Sequence, residues 1–147
     1  MNTPIYKYDE ASDTLSITFA PGEAATGIEL NEQILLRINK AERRVVGVSL
    51  FNYSVLAQPT EYGRRSLPLP GLLDLSAETR DLVLDILQSE PMQSILLLSA
   101  YAPTAAESIP ITSEAIKYVF LMCMYTKSKD SEKVPTLNTH GEKNDRT

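Results

Sequence analysis

Between Thr14 and Phe19 hydroxyl residues alternate with Leu15, Ile17 and Phe19. That two-residue period belongs to a strand with one face buried and the other wet. Ile5 to Tyr8 precedes it, across Asp9-Glu10-Ala11-Ser12-Asp13, a run rich in side chains that bond turn amides, so the pair predicts a hairpin. Ala20-Pro21-Gly22 ends the second strand, because proline has no N–H to give to a ladder. A third strand is expected from Thr26 to Leu30. Asn31-Glu32 then turns into a fourth, in which Ile34, Leu36 and Ile38 share a face, and Asn39-Lys40-Ala41-Glu42-Arg43 turns into a fifth, Val45 to Phe51. Short strands joined by tight polar turns predict an antiparallel β-meander.

From Val55 to Gly71 the periodicity breaks at Pro59, Gly63, Pro68, Pro70 and Gly71, and Leu67-Pro68-Leu69-Pro70 favours an extended path. This segment reads as a connector laid over the sheet. A helix follows, with Ser76 as N-cap, Glu78 at the positive end of the dipole, and Leu75, Leu82, Val83, Ile86 and Leu87 on one stripe, stopping at Pro91. The apolar run Ile95-Leu96-Leu97-Leu98 is read as a strand. Thr112-Ser113-Glu114 is expected to cap a second helix carrying Ile116, Val119, Phe120 and Cys123 on one side and Tyr118, Leu121, Met122 and Tyr125 on the other. After Thr126 the chain offers little to bury, so a disordered C-terminal tail is expected.

The fold class read from these elements is α+β, an antiparallel β-meander packed against one or two helices. Residues 1–125 form a single domain, made of the meander (5–54) and a helical and strand extension (72–125), and 126–147 form the tail. A chain of 147 residues buries roughly two-thirds of its unfolded surface and folds without disulfides or a structural metal.

Composition narrows the chemistry. One cysteine, Cys123, and one histidine, His140, cannot supply a Cys/His zinc site, and a Ser-His or Cys-His pair would need the tail histidine brought to a core nucleophile. A lone apolar-flanked thiol fits a reducing cytoplasm, the expected location. The net charge of −5 repels phosphate backbones, so no nucleic acid is expected as a partner. The opening Met-Asn-Thr-Pro-Ile-Tyr-Lys-Tyr-Asp lacks the basic and apolar regions of a signal peptide, and no apolar run approaches the ~18 residues that span a bilayer, so no membrane partner is expected.

The phosphate-loop, dinucleotide, zincin, nucleophile-elbow and paired-cysteine motifs do not occur. No catalytic residue and no cofactor are assigned. Asp9 and Asp13, four residues apart around a loop, are the candidates for a shared divalent cation or an acid and base pair, with only Glu10 and Ser12 to complete a cage. Against this stands the capping of hairpin amides by the same side chains. Gly47 within a β-branched strand marks a bulge, a crowded contact or a ligand's close approach. Tyr6 and Tyr8 share a face and pack across strands or stack a ligand. Arg37, Lys40, Arg43 and Arg44 form a solvated turn or hold an anion.

Tyr8-Asp9-Glu10-Ala11-Ser12-Asp13-Thr14-Leu15-Ser16-Ile17-Thr18-Phe19, with Arg43-Arg44-Val45-Val46-Gly47-Val48-Ser49-Leu50 in the expected order and separation, resembles the small prokaryotic family called domain of unknown function 2283. Its members open with Y-D-x-x-x-D-x-L-x-I and close with a G-R-V-V-G-I-E-I-like strand. The resemblance covers Ile5 to Ser54 and implies a compact antiparallel meander with no catalytic residues to carry over. Some small members sit beside toxin-like genes, which implies an antitoxin-like, partner-binding role. This chain departs from the pattern where Arg43 and Arg44 replace the usual Gly-Arg pair, and in its long C-terminal extension.

The remaining expectation concerns surplus apolar surface. By strict alternation Leu35, Val45 and Phe51 fall on the face opposite Ile34, Leu36, Val46 and Val48, so both faces of the last two strands ask for cover, and one helix covers only one of them. With Tyr118, Leu121 and Met122, these residues are the interface candidates of a non-enzymatic self-association or protein-binding module. A homo-oligomer or a single protein partner is expected. A small metal-dependent enzyme or ligand binder centred on Asp9 and Asp13 is the rival.

Overall fold

Ile5–Asp9 (β1) and Thr14–Thr18 (β2) form the first hairpin, and Thr26–Glu29 (β3), Ile34–Asn39 (β4) and Arg44–Phe51 (β5) form a meander of three strands. The hairpin joins that meander on the β5 side, giving an antiparallel sheet in the order β1-β2-β5-β4-β3. The structure, a computed structural model, describes residues 3–114, and all of them belong to one compact unit.

Register shows why the alternating sequence makes a two-faced sheet. Cross-strand partners share a face, so one row runs Tyr6, Ile17, Val48, Leu36, Ile28 and the next runs Tyr8, Leu15, Leu50, Ile34. These inner rows are apolar, and Leu15, Ile17, Leu36, Val48 and Leu50 are fully buried. The outer rows run Lys7, Ser16, Ser49, Leu35, Glu29 and Ile5, Thr18, Gly47, Arg37, Gly27. Hydroxyl and charged side chains dominate there, as expected for a face turned to water.

One expected face assignment is corrected by this register. Strict alternation places Val45 with Leu35, but the ladder shifts between Arg37 and Ile38, so Val45 pairs with Ile38 on the inner face. Val46 is the extra residue of a β-bulge, and its carbonyl accepts from both Phe19 N–H (2.8 Å) and Ala20 N–H (3.2 Å). Val45 and Val46 are both buried as a result, at 7% and 3% exposure.

Described residues beyond Phe51 supply cover for the inner face. A four-residue helix, Tyr53–Leu56 (α1), follows directly from Asn52, which takes a left-handed φ of 55°. The connector includes Ser66–Pro68 (β6) and a 3-10 turn at Pro70–Asp74. Ala77–Leu87 (α2) is the expected helix: Ser76 Oγ accepts from Thr79 N–H, Glu78 lies in the first turn, and Leu82, Val83, Ile86 and Leu87 are buried. Leu82 and Ile86 line one cleft with Val45 and Phe19, which sets α2 against the inner face at the bulged end of the sheet.

The connector crosses β3 closely. Gly71 N–H donates to Leu30 O (2.9 Å), and Asn31 Nδ2 donates to Pro68 O (3.0 Å). A Cβ at Gly71 would lie 1.9 Å from Glu29 O, so only glycine admits this approach of backbone to backbone.

Past a 3-10 turn at Met92–Ser94, the run read as a strand is one: Leu96–Thr104 (β7) pairs with Glu107–Glu114 (β8), and β6 pairs with the other side of β8. The second sheet therefore has the order β6-β8-β7. Here the expected cap is corrected, since Thr112, Ser113 and Glu114 sit in β8 and not at a helix start. Thr112 is 2% exposed, its hydroxyl donating to Leu97 O (3.1 Å), so a residue chosen as a cap instead satisfies itself inside a sheet. The helix expected after it, with Tyr118, Leu121, Met122 and Cys123, and the tail from residue 126 lie outside the described residues. Among the described residues no helix is long and apolar enough to cross a membrane.

Candidate functional site

The turn between β1 and β2 gathers the most polar side chains. Asp13 adopts a left-handed φ of 52°, which aspartate tolerates better than most residues. Its carboxylate does not turn back on the hairpin. Oδ1 accepts from Tyr8 Oη (2.7 Å) and Ser54 N–H (3.0 Å), and Oδ2 accepts from Ser54 Oγ (2.7 Å), while the Asp13 carbonyl accepts from Tyr53 N–H (3.0 Å). Asp13 therefore ties the hairpin to the start of α1. The Tyr8 ring also packs edge-on against Tyr53, at 6.4 Å between centroids and 61° between planes.

Asp9 is separated from this cluster by the strand pleat. It falls on the outer face opposite Thr14, and its carboxylate accepts from Ser12 Oγ, which lies 3.0 Å from Thr14 Oγ1. Asp9 and Asp13 thus serve separate hydrogen-bond groups. Among the described residues no group of three or more His, Cys, Asp or Glu side chains is placed to hold a metal ion.

The basic residues of the β4–β5 hairpin do not converge on one point. Arg44 pairs with Glu23 (2.6 Å), and Arg43, at a left-handed φ of 54°, reaches Asp85 on α2 at 3.9 Å. Arg37 lies on the outer face across Gly47, where a Cβ would meet its Nη2 at 2.6 Å and Ile17 O at 2.8 Å. Gly47 is therefore a crowded contact beside the bulge, which explains glycine in a β-branched strand. Tyr6 and Tyr8 do share the inner face, opposite Ile17 and Leu15.

A cleft of about 550 Å³ opens between α2 and the bulged end of β5. Phe19, Val45, Leu82 and Ile86 form its apolar walls, with Arg43, Arg44, Asp85 and Glu90 at the lining as well. Of the remaining interface candidates, Leu35 and Phe51 are half-buried on the outer face. Leu35 leans over Gly27, at 3.4 Å from where a Cβ would stand, and Phe51 lies opposite Thr14.

The second sheet holds a surface that sequence reasoning missed. Ser66, Ser113 and Leu97 form one cross-strand row, Pro68, Ile111 and Ser99 the next, and Ile109 pairs with Tyr101. All eight side chains lie on one face and are uncharged, and the alternation of β8 adds Glu107 to that face at the tip of the hairpin. Leu97 (44%), Tyr101 (56%) and Ile109 (37%) are exposed there, and from Ser99 to Ile109 every residue is exposed. The opposite face is buried at its base through Leu96 and Thr112. The signal was present as alternation in Leu97-Leu98-Ser99-Ala100-Tyr101, but Pro103 and Pro110 broke it, and the Ala-Ala turn lacks the glycine or asparagine that marks most hairpins.

The family model described as "Protein of unknown function (DUF2283)" matches residues 5–54. No curated protein and no solved structure matches the chain. The matched segment opens at β1, takes in all of the five-stranded sheet and closes at Ser54, the residue that binds the Asp13 carboxylate. The Y-D-x-x-x-D spacing of this chain thereby acquires a physical reason, since it sets the Tyr8 hydroxyl and the Asp13 carboxylate at 2.7 Å across the turn. Sheet, turn and clasp all lie inside the residues that the DUF2283 model matches, so the first third of this chain is similar to that family.

Proposed function

We propose that the chain acts as a protein-binding module, without chemistry of its own, and that its binding surface is the outer face of the second sheet around Leu97, Tyr101 and Ile109. The observation that carries this reading is the exposure of Leu97, Tyr101 and Ile109 together on one face of a projecting hairpin. In a chain of net charge −5, a face whose one charged side chain is Glu107, at the tip of the hairpin, is a surface that another protein can cover at its centre without desolvating an ion. Tyrosine flanked by aliphatic residues is also the composition that anchors protein contacts. The polar cluster at Asp13 supports the same reading, because its carboxylate is engaged by Tyr8 and Ser54 in holding the sheet to α1.

A photo-crosslinking residue at Tyr101, in the cell that makes the protein, tests this. Tyr62, 90% exposed and outside both sheets, is the control. A defined protein adduct at Tyr101 and none at Tyr62 is expected. Equal adducts at the two positions, or none at either, sink the reading.

A further inference from the structure

β7 is an edge strand. The sheet order β6-β8-β7 leaves its far side without a neighbouring strand among the described residues. Which backbone groups face that side follows from β8. Pro110 O accepts from Leu69 N–H (3.0 Å), so the backbone groups of Pro110 point toward the β6 side, and those of Ile109 and Ile111 point toward β7. Ser99 and Tyr101, their partners, use their N–H and C=O groups inside the hairpin. Leu98 and Ala100 therefore turn theirs outward, to the open edge.

Protein edges of this kind are ordinarily blunted by charge, proline or a covering segment. Here Glu107 is the one charged residue between Leu96 and Ser113, and proline appears in β7 only at Pro103. An uncharged edge with alternating free donors and acceptors fits another strand.

We infer that the strand it fits is β7 of a second copy of this chain, running antiparallel about a two-fold axis at Ser99. This rests on the protein-binding reading above and names the partner. An antiparallel strand pairing with itself is self-complementary, as a two-fold interface requires. With the axis at Ser99, Leu98 meets the partner's Ala100 and Ala100 meets the partner's Leu98. Each pair exchanges both of its outward backbone bonds. The same register sets Leu97 against the partner's Tyr101, an aliphatic and aromatic cross-strand pair on the outer face. Charge selects the place as well, since two bodies of net charge −5 repel elsewhere and meet most easily along β7, which has no charged residue from Leu96 to Thr104. The two second sheets join into one continuous sheet.

The register makes the test specific. Ala100→Pro removes one outward N–H per copy and leaves the hairpin's own bonds intact, which an edge strand tolerates. Sedimentation across a concentration range is expected to show wild-type dimer, with association weakened about tenfold or more in Ala100→Pro and equal melting temperatures at dilutions where both chains are monomeric. Two Ser99 residues facing each other in a pair that makes no ladder bonds stand about 4.5 Å apart at Cα, within the span of a disulfide. In a chain carrying Cys123→Ser, Ser99→Cys is expected to form a disulfide-linked dimer on mild oxidation, and Ser108→Cys is not. A wild type that stays monomeric at high micromolar concentration overturns the inference. So does a dimer that survives Ala100→Pro while Ser99→Cys and Ser108→Cys crosslink alike. In either of those cases a hetero-adduct at Tyr101 would leave the protein-binding reading standing, and the absence of any adduct there would remove it too.

Discussion

Ser54 gives two hydrogen bonds to the carboxylate of Asp13 across 41 residues of chain, one from its N–H at 3.0 Å and one from its hydroxyl at 2.7 Å. With Tyr8 Oη as a third donor at 2.7 Å, the carboxylate holds three parts of the domain together: β1, the β1–β2 turn and the start of α1. Bonds to a charged acceptor are the stronger kind, and losing the acceptor leaves its half-buried donors to be satisfied elsewhere.

Asp13→Ala is therefore expected to destabilise the fold by about 3 kcal/mol, combining lost charged hydrogen bonds with an alanine held at left-handed φ. Asp13→Asn keeps the tolerance for that φ and part of the acceptor set, and should lose less. Urea unfolding in chelator, magnesium and calcium measures both variants. Equal losses in all three solutions are expected, whereas a wild-type gain from one cation that vanishes in Asp13→Ala would restore the cation-binding alternative.

Leu35 and Leu36 are chain neighbours on opposite faces. Leu36 is fully buried in the inner rows, so Leu36→Ala should cost about 3 kcal/mol or more. Leu35→Ala, on the half-wet outer face, should cost about 1 kcal/mol. Paired denaturation curves check the assignment of faces, and a reversed order would show that the outer face is the packed one.

Phe51→Ala separates the outer face of the large sheet from the second sheet as contact surfaces. Phe51 is half-buried opposite Thr14, and its truncation is expected to cost about 1 to 2 kcal/mol of folding stability with no change in sedimentation. Loss of association in this variant would return the interface to Leu35 and Phe51.

Gly71→Ala should be far more damaging than Gly22→Ala. The first forces a Cβ to within 1.9 Å of Glu29 O, while at Gly22, with φ of 79°, nothing lies within 4 Å of the added atom. The expected costs are about 3 kcal/mol or more for Gly71 and about 1 to 2 kcal/mol for the left-handed backbone at Gly22. Thermal melts of the two variants give the comparison. Ser76→Ala, for its part, removes the N-cap of α2 and should cost about 1 kcal/mol, largely recovered in Ser76→Asp.

The first sheet was legible because its signals are local. Alternation from Thr14 to Phe19 and in Ile34, Leu36 and Ile38 reports which side chains face inward, and the polar turns report where the chain reverses. The Ser76 cap was legible for the same reason. Val45 was misplaced because Gly47 could mark either a bulge or a crowded contact without saying which residue is the extra one, and the donors that share the Val46 carbonyl, Phe19 and Ala20 N–H, lie just past β2, remote in sequence from β5. The polar cluster was half legible: Asp13 stood out in sequence, but Ser54 did not, since a bond spanning 41 residues leaves no periodic trace. Thr112-Ser113-Glu114 reads equally well as a helix cap or a strand end, and the pairing of Ser113 with both Leu97 and Ser66 decided it.

The crossing at Gly71 also bears on how such a domain can be cut and reused. Past Ser54 the chain supplies Leu69, Leu72, Leu82, Val83, Ile86 and Leu87 to the core, all buried, and the strap across β3 fixes where that lid begins. A polypeptide stopping at Ser54 would keep the Asp13 clasp intact yet present its inner rows bare, and would be obliged to borrow a lid from a neighbour. In this chain the lid travels with the sheet, so the domain is closed at home and its second sheet is left at liberty to meet company.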